Sequence, residues 1–297
     1  MRIMQPAIGN FCIAMGYPTK IKAAVRKLND SVVIVSCPFS YLGLFNIGAR
    51  TALIQCEGGI VVWSPMIYGD YIVEGLQKLT GNSSSNPADY NVTHIVALST
   101  EHYLGVDSFT AHFKKAKVIS SEATTRVSVD YKLTDAIANK VITLNDITRA
   151  NGSETEKGFN ELEFVYLPLH FDKEVVVYLK PQKMLFQADI LMNLGIHGTT
   201  TGDVVLEQYS PETGYPKGFN PHGWISFATR YFQPFSKVYN LTFTRLFPRA
   251  HLSKARKGLA AICDLDFETI VPAHGNVVTT RAKEAMRHVC RLENDLQ

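Results

Sequence analysis

Five residues with metal-binding side chains stand shortly after apolar runs that predict β-strands. They are Glu101, His102, His170, Asp189 and His274. Loops at the carboxyl ends of strands are where α/β sheets bring functional groups together. Imidazole and carboxylate groups are also ligands that zinc and similar divalent ions bind well in proteins. The combination therefore predicts a metal site at one edge of a sheet.

Each candidate also has a structural explanation. A histidine near a strand end is usually satisfied by a backbone hydrogen bond, and Asp189 stands where an aspartate often caps a turn. Among the other histidines, His94 falls inside a predicted strand and is interpreted as structural. His197 and His222 follow Asp189 in a long irregular segment, so either is a further candidate to bind substrate or to replace a missing ligand.

Short β-branched runs and amphipathic stretches form the elements that must position these residues. Strands are predicted over 32–37, 51–56, 60–64, 94–98, 117–120, 162–168, 174–179, 184–188 and 267–272. Helices are predicted over 68–79, 107–115, a stretch after 121, 253–263 and 280–296. The second half repeats the order of the first, strands and then helix. We therefore predict an α/β fold, a four-layer αββα sandwich of two mixed sheets with outer helices, as a single domain over residues 1–297.

In the order and spacing of its motifs, the sequence resembles the metallo-β-lactamase superfamily, and within it a sparsely characterised branch with a degenerate second motif. The matching segments are the first hairpin at 48–65, the slot of the His-x-His-x-Asp-His motif at 93–105, the third-motif His170, the bridging aspartate in 186–189 and the final histidine in 271–275. The resemblance covers about residues 30–280 and implies a metallo-β-lactamase-like fold.

The second motif departs from the superfamily pattern. Aligning His102 with its last histidine places Ala97 and Ser99 where two metal-binding histidines belong, and Glu101 falls on the aspartate position. The resemblance then leaves the first metal site only His170 and the shared bridging aspartate. A zinc site normally has at least three protein ligands, so this first site is not expected to bind a metal ion.

The second metal site keeps more of its ligands. The resemblance assigns it His102, Asp189 and His274, with Glu101 as a fourth ligand or a base, and His170 as a helper that holds the metal or orients water. We therefore expect one divalent metal ion, most simply zinc, or none.

The segment 193–235 is an aromatic-rich insertion that follows the bridging aspartate. Long loops in compact domains are usually lids or binding loops, so Tyr209, Trp224 and Tyr231 are predicted to bind substrate above Asp189. The alternative is that these rings cover a second small core or a contact in a homodimer.

Composition limits the classes of protein to which the chain can belong. It has 297 residues, 46% of them hydrophobic, and a net charge of +3 spread along its length. Such weak and diffuse charge does not indicate a nucleic-acid partner. No apolar run approaches the roughly 20 residues that cross a bilayer, so no membrane partner is expected.

The cysteines and the N-terminal residues bear on the compartment. Five widely spaced cysteines without a C-x-x-C pair are typical of reduced thiols inside the cell. Five basic residues before Asp30 resemble an organellar transit peptide, but this stretch lacks serine and contains glycine and proline. We expect a cytoplasmic protein, with organellar import as the alternative.

The main functional hypothesis is a metal-dependent hydrolase of a small organic ester, thioester or lactone. Glu101, His102 and Asp189 are the expected catalytic residues, and Tyr103 is a candidate hydrogen-bond donor to an oxyanion. Loss of two motif histidines favours a second hypothesis, a metal-free pseudoenzyme or ligand-binding protein on the same fold. A third is an isomerase or dehydratase in which His102 or Glu101 is the general base.

Overall fold

A computed structural model describes residues 16–195, 206–243 and 252–292 and contains two main β-sheets. In chain order the strands of the first half are β1 (Ala24–Asn29), β2 (Val32–Cys37), β3 (Ser40–Tyr41), β4 (Phe45–Asn46), β5 (Ala49–Cys56), β6 (Gly59–Trp63), β7 (Val92–Val96), β8 (Lys117–Ser121) and β9 (Tyr131–Leu133). The first sheet has the order β1-β2-β5-β6-β7-β8-β9, antiparallel up to β6 and parallel from β6 to β9. Strands β3 and β4 form a separate hairpin.

The second sheet is built from the second half of the chain. Its strands are β10 (Val141–Thr143), β11 (Leu162–Tyr166), β12 (Val175–Leu179), β13 (Met184–Gln187) and β14 (Thr269–Pro272). They lie in sequence order, antiparallel except that β13 and β14 run parallel. The helices are α1 (Asp70–Thr80), α2 (Val106–His112), α3 (Leu144–Ala150), α4 (Lys237–Phe243), α5 (Leu252–Asp264) and α6 (Ala282–Val289).

Three apolar clusters separate four layers. The central cluster joins the inner faces of the two sheets, where the rings of Trp63 and Phe186 lie 5.6 Å apart. A second cluster packs α1 and α2 against the outer face of the first sheet, and a third packs α4, α5 and α6 against the outer face of the second. Because both faces of the central strands are covered, strands such as β2 and β12 are continuous apolar runs rather than alternating ones. The predicted αββα sandwich of two mixed sheets is confirmed.

Local sequence explains several element ends. Helix α1 ends at Gly81, whose φ of 73° is left-handed and whose N–H bonds to the Gln77 carbonyl. Helix α3 begins with a capping box between Thr143 and Asp146. The helix predicted after residue 121 is wrong: the chain turns and forms β9 beside β8, because an unpaired sheet edge is available there. The strand β1 and the β3–β4 hairpin were not predicted.

Two further findings concern the cysteines and the helices. Cys37, Cys56, Cys263 and Cys290 are free thiols, and all four are buried. In the described parts of the chain, no helix combines the length and the apolar character that crossing a bilayer requires.

Candidate metal centre

Three of the predicted ligands meet at one edge of the sandwich. The Nε2 atoms of His102 and His274 lie 3.1 Å apart. Oδ1 of Asp189 is 3.3 Å from His274 Nε2, and Oδ2 is 4.0 Å from His102 Nε2. Two imidazoles and one carboxylate therefore point at a common position.

The parallel pairing of β13 with β14 brings Asp189 and His274 together. Its register places Gln187 opposite Pro272, so the residues two positions further along each chain meet at the sheet edge. Gly275 is required directly after the histidine. Its φ is +86°, and a Cβ there would lie 2.0 Å from the carbonyl oxygen of Asn193.

A hydrogen bond to the backbone next to the first sheet fixes the tautomer of His274. Its Nδ1 lies 2.6 Å from the carbonyl oxygen of Gly48, at the start of β5. A carbonyl only accepts, so Nδ1 carries the proton and Nε2 presents a lone pair. A metal-binding histidine commonly has its second nitrogen held in this way.

The backbone of Asp189 is fixed by groups behind it. Both oxygens of the buried Glu174 carboxylate accept hydrogen bonds, from Ala188 N at 2.7 Å and Asp189 N at 3.0 Å. The Tyr239 hydroxyl, on α4, donates to the Asp189 carbonyl at 3.0 Å. The aspartate side chain is therefore directed away from these contacts toward the two histidines.

His102 lies in the turn between β7 and α2. Oγ of the buried Ser99 accepts hydrogen bonds from the backbone N–H groups of Glu101 and His102, both at 3.2 Å, and lies 2.9 Å from His102 Nδ1. Gly105 closes the turn, since a Cβ there would meet the backbone of Pro65 and Met66 at under 2.5 Å. Ser99, which the sequence resemblance aligns with a metal-ligand position, thus shapes this loop.

His170 belongs to a neighbouring cluster instead of the three-residue group. Its Nδ1 is hydrogen-bonded to Asp172 Oδ1 and lies 3.8 Å from Glu174 Oε2. Asp172 Oδ2 is 3.7 Å from His102 Nδ1, so this buried carboxylate stands between the two imidazoles.

Asp172 and Glu174 were missed by the sequence reasoning. The only signal in the sequence was the spacing of three ionisable residues, His170, Asp172 and Glu174, within five positions between β11 and β12, a segment that the structure shows as turns. Glu101, predicted as a fourth ligand or base, is exposed and is not part of either ligand group.

Burial and neighbouring charges set the protonation of the site. Burial alone would lower the pKa of His102, but the carboxylates of Asp189 and Asp172 outweigh it and raise the pKa to about 9. Burial, together with the charge of His102, lowers the pKa of His274 to about 3. Burial raises the pKa of Asp189 to about 6. At pH 7 His274 is therefore neutral, and in the metal-free site His102 can donate a hydrogen bond from its Nε2 to His274. A bound metal ion would take the place of this proton.

The arrangement fits a divalent ion. Asp189 Oδ1 is buried and accepts no hydrogen bond from the described residues, although it faces His274 Nε2. Two acceptor atoms in contact repel unless a proton or a metal ion lies between them. For tetrahedral zinc with bonds of about 2.05 Å, ligand atoms are about 3.4 Å apart. Two of the three separations, 3.1 and 3.3 Å, are close to this value, and the third, between His102 and Asp189, is longer at 4.0 Å. With an ion bound, His102, Asp189 and His274 would form the three-ligand type of catalytic zinc site, which leaves a fourth position open.

A cleft of about 620 Å³ opens above these residues. His102, Asp189 and His274 lie at its base, and Glu101 also lines it. The walls are mainly apolar and include Tyr41, Leu42, Phe45, Phe171, Met192 and Phe232. Several of these residues belong to the β3–β4 hairpin, so the hairpin covers the cleft.

The predicted substrate-binding residues divide into two groups. Tyr103 lines the cleft, and its role in binding substrate stays a prediction. Tyr209, Trp224 and Tyr231 do not line it, which corrects the predicted position of these rings above Asp189. Tyr209 is 2% exposed and packs with Tyr215 and Phe219 in a small separate core, whereas Trp224 is 87% exposed on the outer surface.

The described part of the insertion contributes Phe232 to the cleft wall and also supports the hairpin. Ser226 accepts a hydrogen bond from Asn46 N at 2.7 Å, and the Pro221 carbonyl accepts one from Asn46 Nδ2 at 2.9 Å. Residues 196–205, including His197, lie outside the described residues. His222 is buried 2.8 Å from the Thr229 hydroxyl and is not part of a ligand group.

Comparison with solved structures identifies the fold. A metallo-β-lactamase from Pontibacter korlensis matches with a TM-score of 0.53 at 15% identity, over 93% of this chain and 100% of that one. The DIM-1 metallo-β-lactamase matches with a TM-score of 0.52 at 12% identity, over 94% and 100%. One from Hirschia baltica gives a TM-score of 0.52 at 12% identity, over 91% and 97%. The protein therefore has the metallo-β-lactamase fold.

The sequence itself is distant from known families. No protein-family model matches the chain, and no curated protein matches it. The predicted metallo-β-lactamase-like fold is confirmed by the solved structures. A fold alone does not define an activity, which depends on the residues of the site.

Proposed function

We propose that the protein is a metal-dependent hydrolase of a small organic ester, thioester or lactone, and that His102, Asp189 and His274 hold one divalent ion, most simply zinc. The observation that carries the proposal is the contact between the lone pair of His274 Nε2 and the buried Asp189 Oδ1 at 3.3 Å. A metal ion between these groups relieves their repulsion, and an open fourth position is what a hydrolytic site needs.

A bound divalent ion would supply Lewis acidity that lowers the pKa of water to near 7. The surrounding residues have separate tasks. Gly48 keeps the His274 tautomer, and Asp172, 3.7 Å from His102 Nδ1, stabilises the orientation of that imidazole. Glu101 is exposed in the same cleft, and we assign it to accept a proton from the attacking water.

The apolar walls of the cleft favour a substrate of low polarity. They bury the non-reacting part of the substrate and restrict water at the reacting bond. Tyr103 lies on the wall, where its hydroxyl can donate to an oxygen of the substrate.

Elemental analysis of the purified protein, combined with an esterase assay, tests the proposal. We expect a stoichiometric divalent metal and hydrolysis of 4-nitrophenyl butyrate that a chelator abolishes and zinc restores. Hydrolysis that is insensitive to chelation would contradict it. Protein without metal and without hydrolysis would favour the metal-free binding hypothesis, and metal-free activity on a non-hydrolysed bond would favour the isomerase or dehydratase hypothesis.

A further inference from the structure

Two arginines line the cleft in different surroundings. Arg50 is 1% exposed, and its guanidinium donates to the Pro272 carbonyl at 2.6 Å and to Glu207 Oε2 at 3.1 Å. Its charge is therefore neutralised inside the protein. Arg126 is exposed, and no carboxylate among the described residues lies within the 4.0 Å ion-pair distance of its guanidinium. It is thus a cation of the cleft wall whose charge is available to a ligand.

Tyr103 holds this guanidinium at the cleft. Nη1 of Arg126 donates to the Tyr103 hydroxyl oxygen at 2.8 Å, and the guanidinium lies 5.7 Å from the centre of the tyrosine ring. Because the hydroxyl oxygen accepts from the arginine, its own O–H remains able to donate. Arginine has five N–H donors in a planar fork that matches a carboxylate. The pair therefore offers several donors and a single positive charge.

Other residues of the cleft wall are apolar and exposed. Leu42 is 72% exposed, Phe171 is 56% exposed and Tyr41 is 49% exposed, and all three line the cleft. Apolar side chains exposed together in a concave site are typical of a ligand-binding surface. An apolar body in contact with them would remove this surface from water.

We propose that the cleft binds an amphiphilic monoanion, with a carboxylate held by Arg126 and Tyr103 and an apolar chain along the β3–β4 hairpin. The substrate is then an ester or thioester that also carries one free carboxylate. A single unpaired arginine matches one negative charge, not several. The exposed carboxylate of Glu101, which also lines the cleft, repels an anion from its own part of the base. The proposal rests on the proposed hydrolase function for the reacting bond, but the carboxylate position can be tested by binding alone.

Isothermal titration with decanoate and with 1-decanol, which lacks the charge, tests the carboxylate position. Wild-type protein should bind decanoate at least about tenfold more tightly than decanol, since charge-assisted hydrogen bonds are strong. Arg126→Gln should weaken decanoate binding by about tenfold to a hundredfold, and Tyr103→Phe by about fivefold. Arg126→Lys should recover only part of the affinity, because lysine lacks the planar fork.

Arg149→Gln is the matched control, because Arg149 is exposed on α3 and does not line the cleft. It should bind decanoate like the wild type. Equal affinities of decanoate for the wild type and Arg126→Gln would overturn the proposal. So would loss of decanoate binding after removal of metal, which would place the carboxylate at the metal ligands instead. If the decanoate pattern holds while no ester is hydrolysed, the anion site stands and the hydrolase proposal fails.

Discussion

The Nε2 atoms of His102 and His274 lie 3.1 Å apart although 172 positions separate the two residues in the chain. His102 follows β7 of the first sheet, and His274 follows β14 of the second. The pair therefore spans the interface between the sheets, and the packing of Trp63 against Phe186 behind it helps to set its spacing. Correct assembly of the sandwich is a condition for the candidate metal centre.

Replacing His274 with alanine should release the metal ion, because it removes one of three donor groups. The affinity for the metal should fall by more than the roughly 10–100-fold that is typical when a residue hydrogen-bonded to a metal ligand is removed. Metal content measured by elemental analysis after gel filtration checks this. His112→Ala is the control, because His112 is exposed on α2 and outside the ligand groups. Retention of a full equivalent by His274→Ala would place the ion elsewhere.

We expect no more than one tightly bound ion per chain. Ala97 and Ser99 provide no imidazole, and both oxygens of Glu174 already accept backbone N–H groups at 2.7 and 3.0 Å. Native mass spectrometry of zinc-loaded protein measures the stoichiometry directly. Two ions retained at equal occupancy would show that the group of His170, Asp172 and Glu174 is also a metal site.

Asp172→Asn should weaken metal binding by about 10–100-fold, because its carboxylate stands beside both His102 and His170. A competition titration with a zinc-sensitive dye measures the affinity. Asp107→Asn, an exposed residue of α2, is the control for loss of a negative charge. Equal metal affinity in wild type and Asp172→Asn, with normal stability, would limit Asp172 to a structural role.

The cleft wall predicts a difference between two exposed apolar residues. Leu42→Ser should raise KM for apolar esters several-fold with little change in kcat. This pattern is expected when a contact stabilises the bound substrate and the transition state equally. Trp224→Ser should change neither constant, because Trp224 is 87% exposed and does not line the cleft. A larger effect at Trp224 than at Leu42 would restore the lid role predicted for the insertion.

The buried His94 should make the free energy of unfolding depend on pH. It is 1% exposed and packs against Phe159, and burial outweighs the nearby Glu156 carboxylate to lower its pKa below 6.5. Above pH 6.5 the imidazole of His94 is neutral in both the folded and the unfolded chain, and its contribution to the free energy of unfolding is fully present. Below pH 6.5 the unfolded chain binds a proton more readily than the folded chain. The contribution is therefore lost as pH falls through the lowered pKa of the folded state.

Urea unfolding of the wild type and His94→Gln at pH 7.5 and 5.5 tests this linkage. The wild type should lose more free energy of unfolding than the variant on acidification, by at most about 1.4 kcal/mol, because pH 5.5 lies one unit below the ordinary histidine pKa of about 6.5. Equal losses in the two proteins would mean that His94 titrates normally in the folded state.

The apolar patterns of the sequence predicted much of the layered architecture. Strands such as β2 and β12 are continuous apolar runs, and these are stable only when both faces are covered. The stretch after residue 121 was predicted as a helix and forms a turn and β9, because pairing with the edge of β8 outweighs a weak local preference. Short strands like those of the β3–β4 hairpin have too few residues to show a pattern.

For the site, the residue types and their places after strands were enough to predict that His102, Asp189 and His274 are metal-ligand candidates. The sequence did not show that Asp172, rather than Glu101, stands beside His102. Nor did it show that the hairpin lines the cleft while Tyr209, Trp224 and Tyr231 do not. The direction of a loop side chain depends on backbone angles and on the packing of one sheet against the other. Neither leaves a periodic signal in the chain, so these contacts were decided only when the two sheets came together.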